Sequence, residues 1–227
     1  MIRQFKPRMD ILPQSQRHLW PELHNASNLG FVFYGGTAIA LRLGHRESVD
    51  FDFFTEKPLD RDAIKAAFPF VAQSTTLQDQ NDAWVVLVKH GDAASDHVKV
   101  SFFGRITFGR TGEPDFTDDG VLQVASFEDL MATEVKVVLQ RAEAKDYRDV
   151  AAMVNAGVSL SRGLASARVL FGPNFQPSES LKALVYFEDG DLKTLTLAEK
   201  TTLVNAVKAV KDLPDVALRS TSLSSFI

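Results

Sequence analysis

The 227-residue chain contains no cysteine. That absence excludes disulfide scaffolds, thiolate zinc sites, iron–sulfur clusters and cysteine nucleophiles together, leaving oxygen and imidazole groups to ligate any metal. No uninterrupted apolar run approaches the roughly 20 residues of a membrane helix, and the opening MIRQFKPRMD is charged where a signal peptide would be apolar. The expectation is a soluble, cytoplasmic protein with no membrane partner. An excess of positive charge is missing too. A formal net charge of -4 at pH 7 argues against a surface coated in phosphate-binding lysines and leaves nucleic acid as a localised partner. The Gly-x-Gly-x-x-Gly and Gly-x-x-x-x-Gly-Lys-Ser/Thr fingerprints do not occur, and His18, His24, His45, His90 and His97 have no close metal-ligand spacing.

What is present is ordinary globular composition, 45% hydrophobic and 24% charged, with 17 phenylalanines that read as core. Residues 13–28 read as a helix with Pro21 as a kink or break. Phe31 to Tyr34 are strand formers that stop at Gly35-Gly36, and Thr37 to Leu43 then form a short helix closed by Gly44. After Ser48, the run Val49 to Phe53 alternates with period two, so Asp50 and Asp52 share one strand face and Phe51 and Phe53 the other. A helix over 61–68 follows, opened by Asp60 and stopped by Pro69. Strands are expected over 71–77, 83–89, 97–103 and 106–108, with turns at 80–82, 91–92 and 104. From Ser126 the character changes to helices, over 130–141, 145–155, 160–171, 178–187 and 197–211, and residues 220–227 read as a loose tail. The fold class is α+β (α/β): a mixed sheet with flanking helices over residues 1–125, then a helical domain over 126–227 that completes the cleft.

The chemistry concentrates in Gly35-Gly36-Thr37 and in Arg46, Ser48, Asp50 and Asp52. Two aspartates at alternate strand positions can reach one Mg²⁺ or Mn²⁺, a hard cation that takes a few carboxylates and completes its shell with water and substrate phosphates. A glycine turn opening a helix offers backbone N–H groups and the positive end of the helix to a triphosphate. Either motif alone is commonplace, since Asp-x-Asp recurs on solvated strands and Gly-Gly is usually a turn. Their order along the chain lifts the combination, with Arg46 and Ser48 placed to touch phosphate oxygens.

These residues resemble the nucleotidyltransferase superfamily, whose motif is Gly-Gly or Gly-Ser followed by Asp-x-Asp/Glu. The closer likeness is to the abortive-infection toxin nucleotidyltransferases of the AbiEii/AbiGii type, through Gly-Gly-Thr-Ala-x-Ala and Arg-x-Ser-x-Asp-x-Asp-Phe-Phe. Lys136, Arg141 and the segment Lys145 to Asp149 extend it to roughly residues 31–156. The resemblance implies an NTP donor, a tRNA acceptor and an antitoxin partner, with Lys136 on the triphosphate and Asp146 catalytic or organising the site. From the residues alone Lys136 is equally a snorkelling lysine, and Asp146 reads as a charge near a helix start. Asp146 would order the acceptor hydroxyl or deprotonate it; both stay open. One departure stands out. Many nucleotidyltransferases carry a third carboxylate on a later strand, where this chain has Ser101; the resemblance implies that Asp146 substitutes from the helical half or that catalysis is weak or lost, and Glu47 and Asp96 are further alternatives. Two other readings follow: a catalytically impaired nucleotide- or RNA-binding module on the same scaffold, or a small-molecule nucleotidyltransferase of the antibiotic-modifying sort.

Overall fold

Aromatic side chains on alternate strand positions decide where the core lies. The structure, a computed structural model, describes residues 3–89 and 96–225. Among these the chain runs β1 (Gln4–Phe5), α1 (Gln14–Leu19), β2 (Val32–Tyr34), α2 (Gly35–Leu43), β3 (Asp50–Phe54), α3 (Arg61–Ala67), β4 (Thr75–Gln80), β5 (Ala83–Lys89), β6 (His97–Phe103), β7 (Asp115–Thr117) and β8 (Gln123–Val124). Helices α4 (Phe127–Val137), α5 (Ala144–Asn155), α6 (Leu160–Phe171), α7 (Pro177–Ala183) and α8 (Leu197–Ala209) follow. The strands make one sheet in the order β1-β7-β8-β2-β3-β6-β5-β4. It is mixed, as expected: β3 is antiparallel to β2 and parallel to β6.

Phe51 and Phe53 are sealed from solvent beside Phe33, Phe31, Phe68 and Phe102. The Phe53 ring centroid lies 5.4–6.4 Å from those of Phe33, Phe102, Phe31 and Phe68, tilted, stacked and edge-on arrangements that add to simple burial. With that face filled, the other face of β3 is left to carry the half-buried Asp50 and Asp52. Helix α2 ends where Gly44 takes φ +65°, and α3 begins where the Asp60 carboxylate accepts from the N–H groups of Asp62 and Ala63.

The far strands are held by one buried cation. Arg42 Nη1 donates to Asp115 Oδ2 at 2.6 Å, Nη2 to the carbonyls of Ala125 at 2.7 Å and Val124 at 3.3 Å, and the guanidinium lies over the Phe5 ring. Its side chain is only 5% exposed. Thus α2 pins β1, β7 and β8.

Several local expectations are corrected. The break expected at Pro21 is present, in a 3-10 turn, Trp20–Asn25, but the helix expected over 13–28 is α only from Gln14 to Leu19. Residues 69–73 also form a 3-10 turn, so the expected strand over 71–77 starts at Thr75. Ile106 to Phe108 lie outside any strand, since Arg105 turns the chain with φ +51°. The helix expected over 130–141 stops at Val137, and Arg141 lies in the connection beyond. The described part of the tail, residues 220–225, is not loose: Leu223 is buried, its N–H and the Ser222 hydroxyl donate to the Glu56 carboxylate, and Ser225 bonds Gln123. The expected turn at 91–92 lies outside the described residues, as does His90.

The chain divides into two compact units. One comprises Met1–Gly109, Glu113–Ala125 and Thr221–Ile227; the other comprises Arg110–Gly112 and Ser126–Ser220. In the helical unit, the buried Asp129 explains why residues 110–112 belong to it. Its Oδ1 accepts from Thr111 N at 2.7 Å and Thr111 Oγ1 at 2.8 Å, and its Oδ2 from Ser126 Oγ at 2.8 Å and Gly112 N at 3.2 Å. Burial still pushes this carboxyl above the usual aspartate value of 3.8. Gly163 lets α6 approach α4, since any Cβ there would collide with Met131.

Candidate active site

In the sheet unit the proposed acids and the glycine turn meet. Tyr34, the residue before Gly35, is the register partner of Asp52 across β2 and β3. Gly35 has φ +78°, and a Cβ on it would stand 3.0 Å from Asp52 Oδ2. A side chain here would be strained by its backbone and pressed against the carboxylate, so glycine is what lets Asp52 approach the start of α2. That helix start carries no side-chain capping bond from Tyr34. Its first N–H groups have no intrahelical acceptor and form the positive end of the helix dipole.

Asp50 is engaged by a residue that sequence reasoning passed over. It pairs in register with Lys99 of β6, and Lys99 Nζ lies 2.9 Å from Asp50 Oδ2, with the two side chains 40% and 31% exposed. The same register sets Ser101 opposite Asp52, buried and without a carboxylate. The signal for Lys99 was its parity: it shares a strand face with Ser101, two residues away. Phe54 lies on this face as well, half-buried and stacked on Tyr34 with centroids 5.0 Å apart, so it is not sealed core as Phe53 is.

Thr37 and Ser48 are brought together, but with each other. Their hydroxyls are 2.6 Å apart and buried, and the Ser48 N–H donates to the Ile11 carbonyl at 3.3 Å. Both residues were expected beside phosphate, and here each hydroxyl has the other as a partner. The pair instead ties α2 to the segment entering β3, while Gln16 Nε2 holds the Val49 carbonyl at 3.0 Å. Arg46 Nη1 donates to the Glu47 carbonyl at 3.0 Å. Glu47 is exposed, and Asp96 lies one residue before β6.

In the helical unit, Lys136 is half-buried with its Nζ 3.9 Å above the Phe171 ring, a cation–π contact in place of a simple snorkel to solvent. Asp146 is buried and held bidentately: Arg141 Nε donates to Oδ2 at 2.8 Å and Nη2 to Oδ1 at 3.0 Å. That bond raises the Arg141 pKa further above its usual value. Glu134 and Asp149, also buried, bring carboxylate oxygens within 4.8 Å of one another and of Asp146. Sequence reading named Asp146 and Asp149 but missed Glu134, whose signal was an acid set in the apolar run of α4. The donor set of this cluster is all carboxylate, the type that hard divalent cations prefer.

The family model described as nucleotidyl transferase AbiEii toxin, type IV toxin–antitoxin system, matches residues 22–206. An uncharacterized protein of Aquifex aeolicus (strain VF5) is 30% identical over 161 residues, covering 70% of this chain and 74% of that protein. Among solved structures, one from H. pylori described as a nucleotidyltransferase superposes with a TM-score of 0.57 at 16% identity, covering 86% of this chain and 92% of that one. MenT4, a nucleotidyltransferase toxin of Mycobacterium tuberculosis H37Rv, gives 0.55 at 15% identity, covering 87% and 84%. At such identities the likeness concerns the fold. No helix among the described residues is long and apolar enough to cross a membrane. Because the family match takes in both the glycine turn with its strand-borne acids and the helices bearing Lys136 and Asp146, the chain belongs to the AbiEii family of nucleotidyltransferase toxins.

Proposed function

We propose that this protein moves a nucleoside monophosphate from an NTP to an acceptor hydroxyl on tRNA, in a Mg²⁺- or Mn²⁺-dependent reaction, as a cytoplasmic toxin restrained by an antitoxin. The observation that carries this reading is the approach of Asp52 to Gly35 at the start of α2. It puts a metal-binding acid beside backbone donors suited to a triphosphate. The donor set fits a hard cation: Asp50 and Asp52 share a face, and Asp50 already holds a cation, the Lys99 ammonium, at 2.9 Å.

In this reading Asp50 and Asp52 hold the metal, which when bound supplies neutralisation of charge at the reacting phosphate. The N–H groups of Gly35, Gly36 and Thr37 receive phosphate oxygens, and the Thr37–Ser48 bond keeps that turn rigid. Arg46 and Lys136 add positive charge toward the phosphates. Asp146, with each oxygen accepting one bond from Arg141, keeps lone-pair sites with which to order or deprotonate the acceptor hydroxyl. In-line alignment of hydroxyl and α-phosphate supplies much of the rate.

Ser101 favours a second reading, an impaired nucleotide- or RNA-binding module, because a buried hydroxyl faces Asp52 where an acid would complete the set. One experiment separates the readings. The protein is incubated with each α-labelled NTP, Mg²⁺ or Mn²⁺ and total tRNA, and label is followed into RNA, protein and small molecules. Label in tRNA, lost in the Asp50→Asn/Asp52→Asn double variant, is the expected result. Label in a small molecule reassigns the acceptor; binding without transfer supports the impaired module. Transfer that survives in the double variant refutes the proposed site.

A further inference from the structure

We propose that Lys99 is an internal counter-ion that makes metal binding at Asp50 and Asp52 depend on nucleotide; this rests on the reading of those aspartates as metal ligands. Two carboxylates on one strand face repel each other, and the ammonium 2.9 Å from Asp50 offsets one of the two charges. Its placement is fixed by the fold. Lys99 is the register partner of Asp50 on the parallel neighbour β6, and the buried Val98 and Val100 on either side commit its side chain to the acids' face. Ser101, on the same face, adds no negative charge. The local set Asp50, Asp52 and Lys99 thus carries one negative charge instead of two.

A divalent cation arriving alone must displace the ammonium from Asp50 or endure its repulsion at close range. A nucleotide changes that balance, because its phosphates bring negative charge to which the ammonium can turn on its flexible four-carbon stem while the strand stays still. Metal and nucleotide therefore strengthen each other's binding, by the same factor in each direction. The consequence is selectivity for the metal–nucleotide pair over the free cation. Lys99 acts here as a positioning residue that sets the charge of the site.

The test reads Mn²⁺ binding directly, by electron paramagnetic resonance titration with and without a non-hydrolysable NTP analogue, on wild type, Lys99→Met, Lys99→Arg and the Asp50→Asn/Asp52→Asn double variant. Lys99→Met should bind Mn²⁺ alone about tenfold more tightly, as removal of a unit charge a few ångströms from a divalent ion requires. It should also show a smaller gain on adding the analogue. Lys99→Arg should keep the wild-type pattern, and Lys99→Gln repeats the charge removal should the Met variant fail to fold. If Lys99→Met and Lys99→Gln bind Mn²⁺ no more tightly than wild type, or gain as much from the analogue, while the double variant does not bind, the counter-ion role is overturned and the metal reading stands. If the double variant binds Mn²⁺ as wild type does, the metal reading itself falls and takes the proposal with it.

Discussion

Replacing Gly35 with alanine separates a backbone effect from a site effect, because the protein contains its own control. Gly35 and Gly120 have nearly the same left-handed conformation, φ +78° and +73°. A Cβ at Gly35 meets Asp52 Oδ2 at 3.0 Å, whereas one at Gly120 meets nothing within 4 Å. Both substitutions pay the left-handed backbone penalty of roughly 1–2 kcal/mol, worth about 2–8 °C in melting temperature for a chain of this size. Only Gly35→Ala also pushes the carboxylate, by a few tenths of an ångström, away from the start of α2. Displacing a metal ligand by altering what supports it typically costs about 10–100-fold in affinity. Urea titrations should therefore show similar losses of stability in the two variants, while Mn²⁺ titrations should show weakened binding in Gly35→Ala and unchanged binding in Gly120→Ala. Equal, wild-type Mn²⁺ affinity in both would refute the claim that glycine is there for Asp52.

Two further predictions concern stability. Arg42→Met removes the cation that joins Asp115 and the carbonyls of Val124 and Ala125 to α2, leaving the largely buried Asp115 without its ion-pair partner; the expected cost is about 3–5 kcal/mol by urea denaturation, with faster amide exchange in β7 and β8, and a loss below about 1 kcal/mol would contradict the role given to Arg42. Asp129 should impose a pH dependence: since burial raises its folded pKa above the unfolded 3.8, the native state keeps a proton that the unfolded state has released, and stability falls as pH rises from that value through the folded pKa. Asp129→Asn should flatten that part of a plot of urea midpoint against pH, taken from about pH 4 to about pH 7, and an unaltered slope would assign it to another group.

The strand bearing Asp50 and Asp52 was legible because a half-buried strand writes period two into its sequence, and α2 because glycines bound it at both ends. Strands β1, β7 and β8 were not. They are two or three residues long and owe their place to distant partners, such as the Arg3 carbonyl that accepts from Phe116 N and the Arg42 guanidinium. Ile106 to Phe108 had the composition of a strand, yet the left-handed turn at Arg105 leads the chain out of the sheet, which local propensity does not record. Within the candidate site, spacing foretold that Asp50 and Asp52 share a strand face beside a glycine turn, because those features are local. Lys99 depends on the register between β3 and β6, Glu134 on the packing of α4, and the Thr37–Ser48 bond on a loop closure. None of these is written in a single element.

The sheet unit is a discontinuous assembly. Its seat for Leu223, closed by the Glu56 carboxylate and by Gln123, is filled by a segment that the chain reaches only after the whole helical unit. On a ribosome the strand bearing Asp50 and Asp52 is made early, but the unit around it lacks a packing piece until residues 221–225 have followed. Vectorial synthesis thus delays completion of the sheet unit behind that of the helical one, reversing the usual N-terminal-first order. For a protein of a toxin family, the glycine turn and the strand-borne acids thus lie in the unit whose packing is completed only after the helical unit has been made.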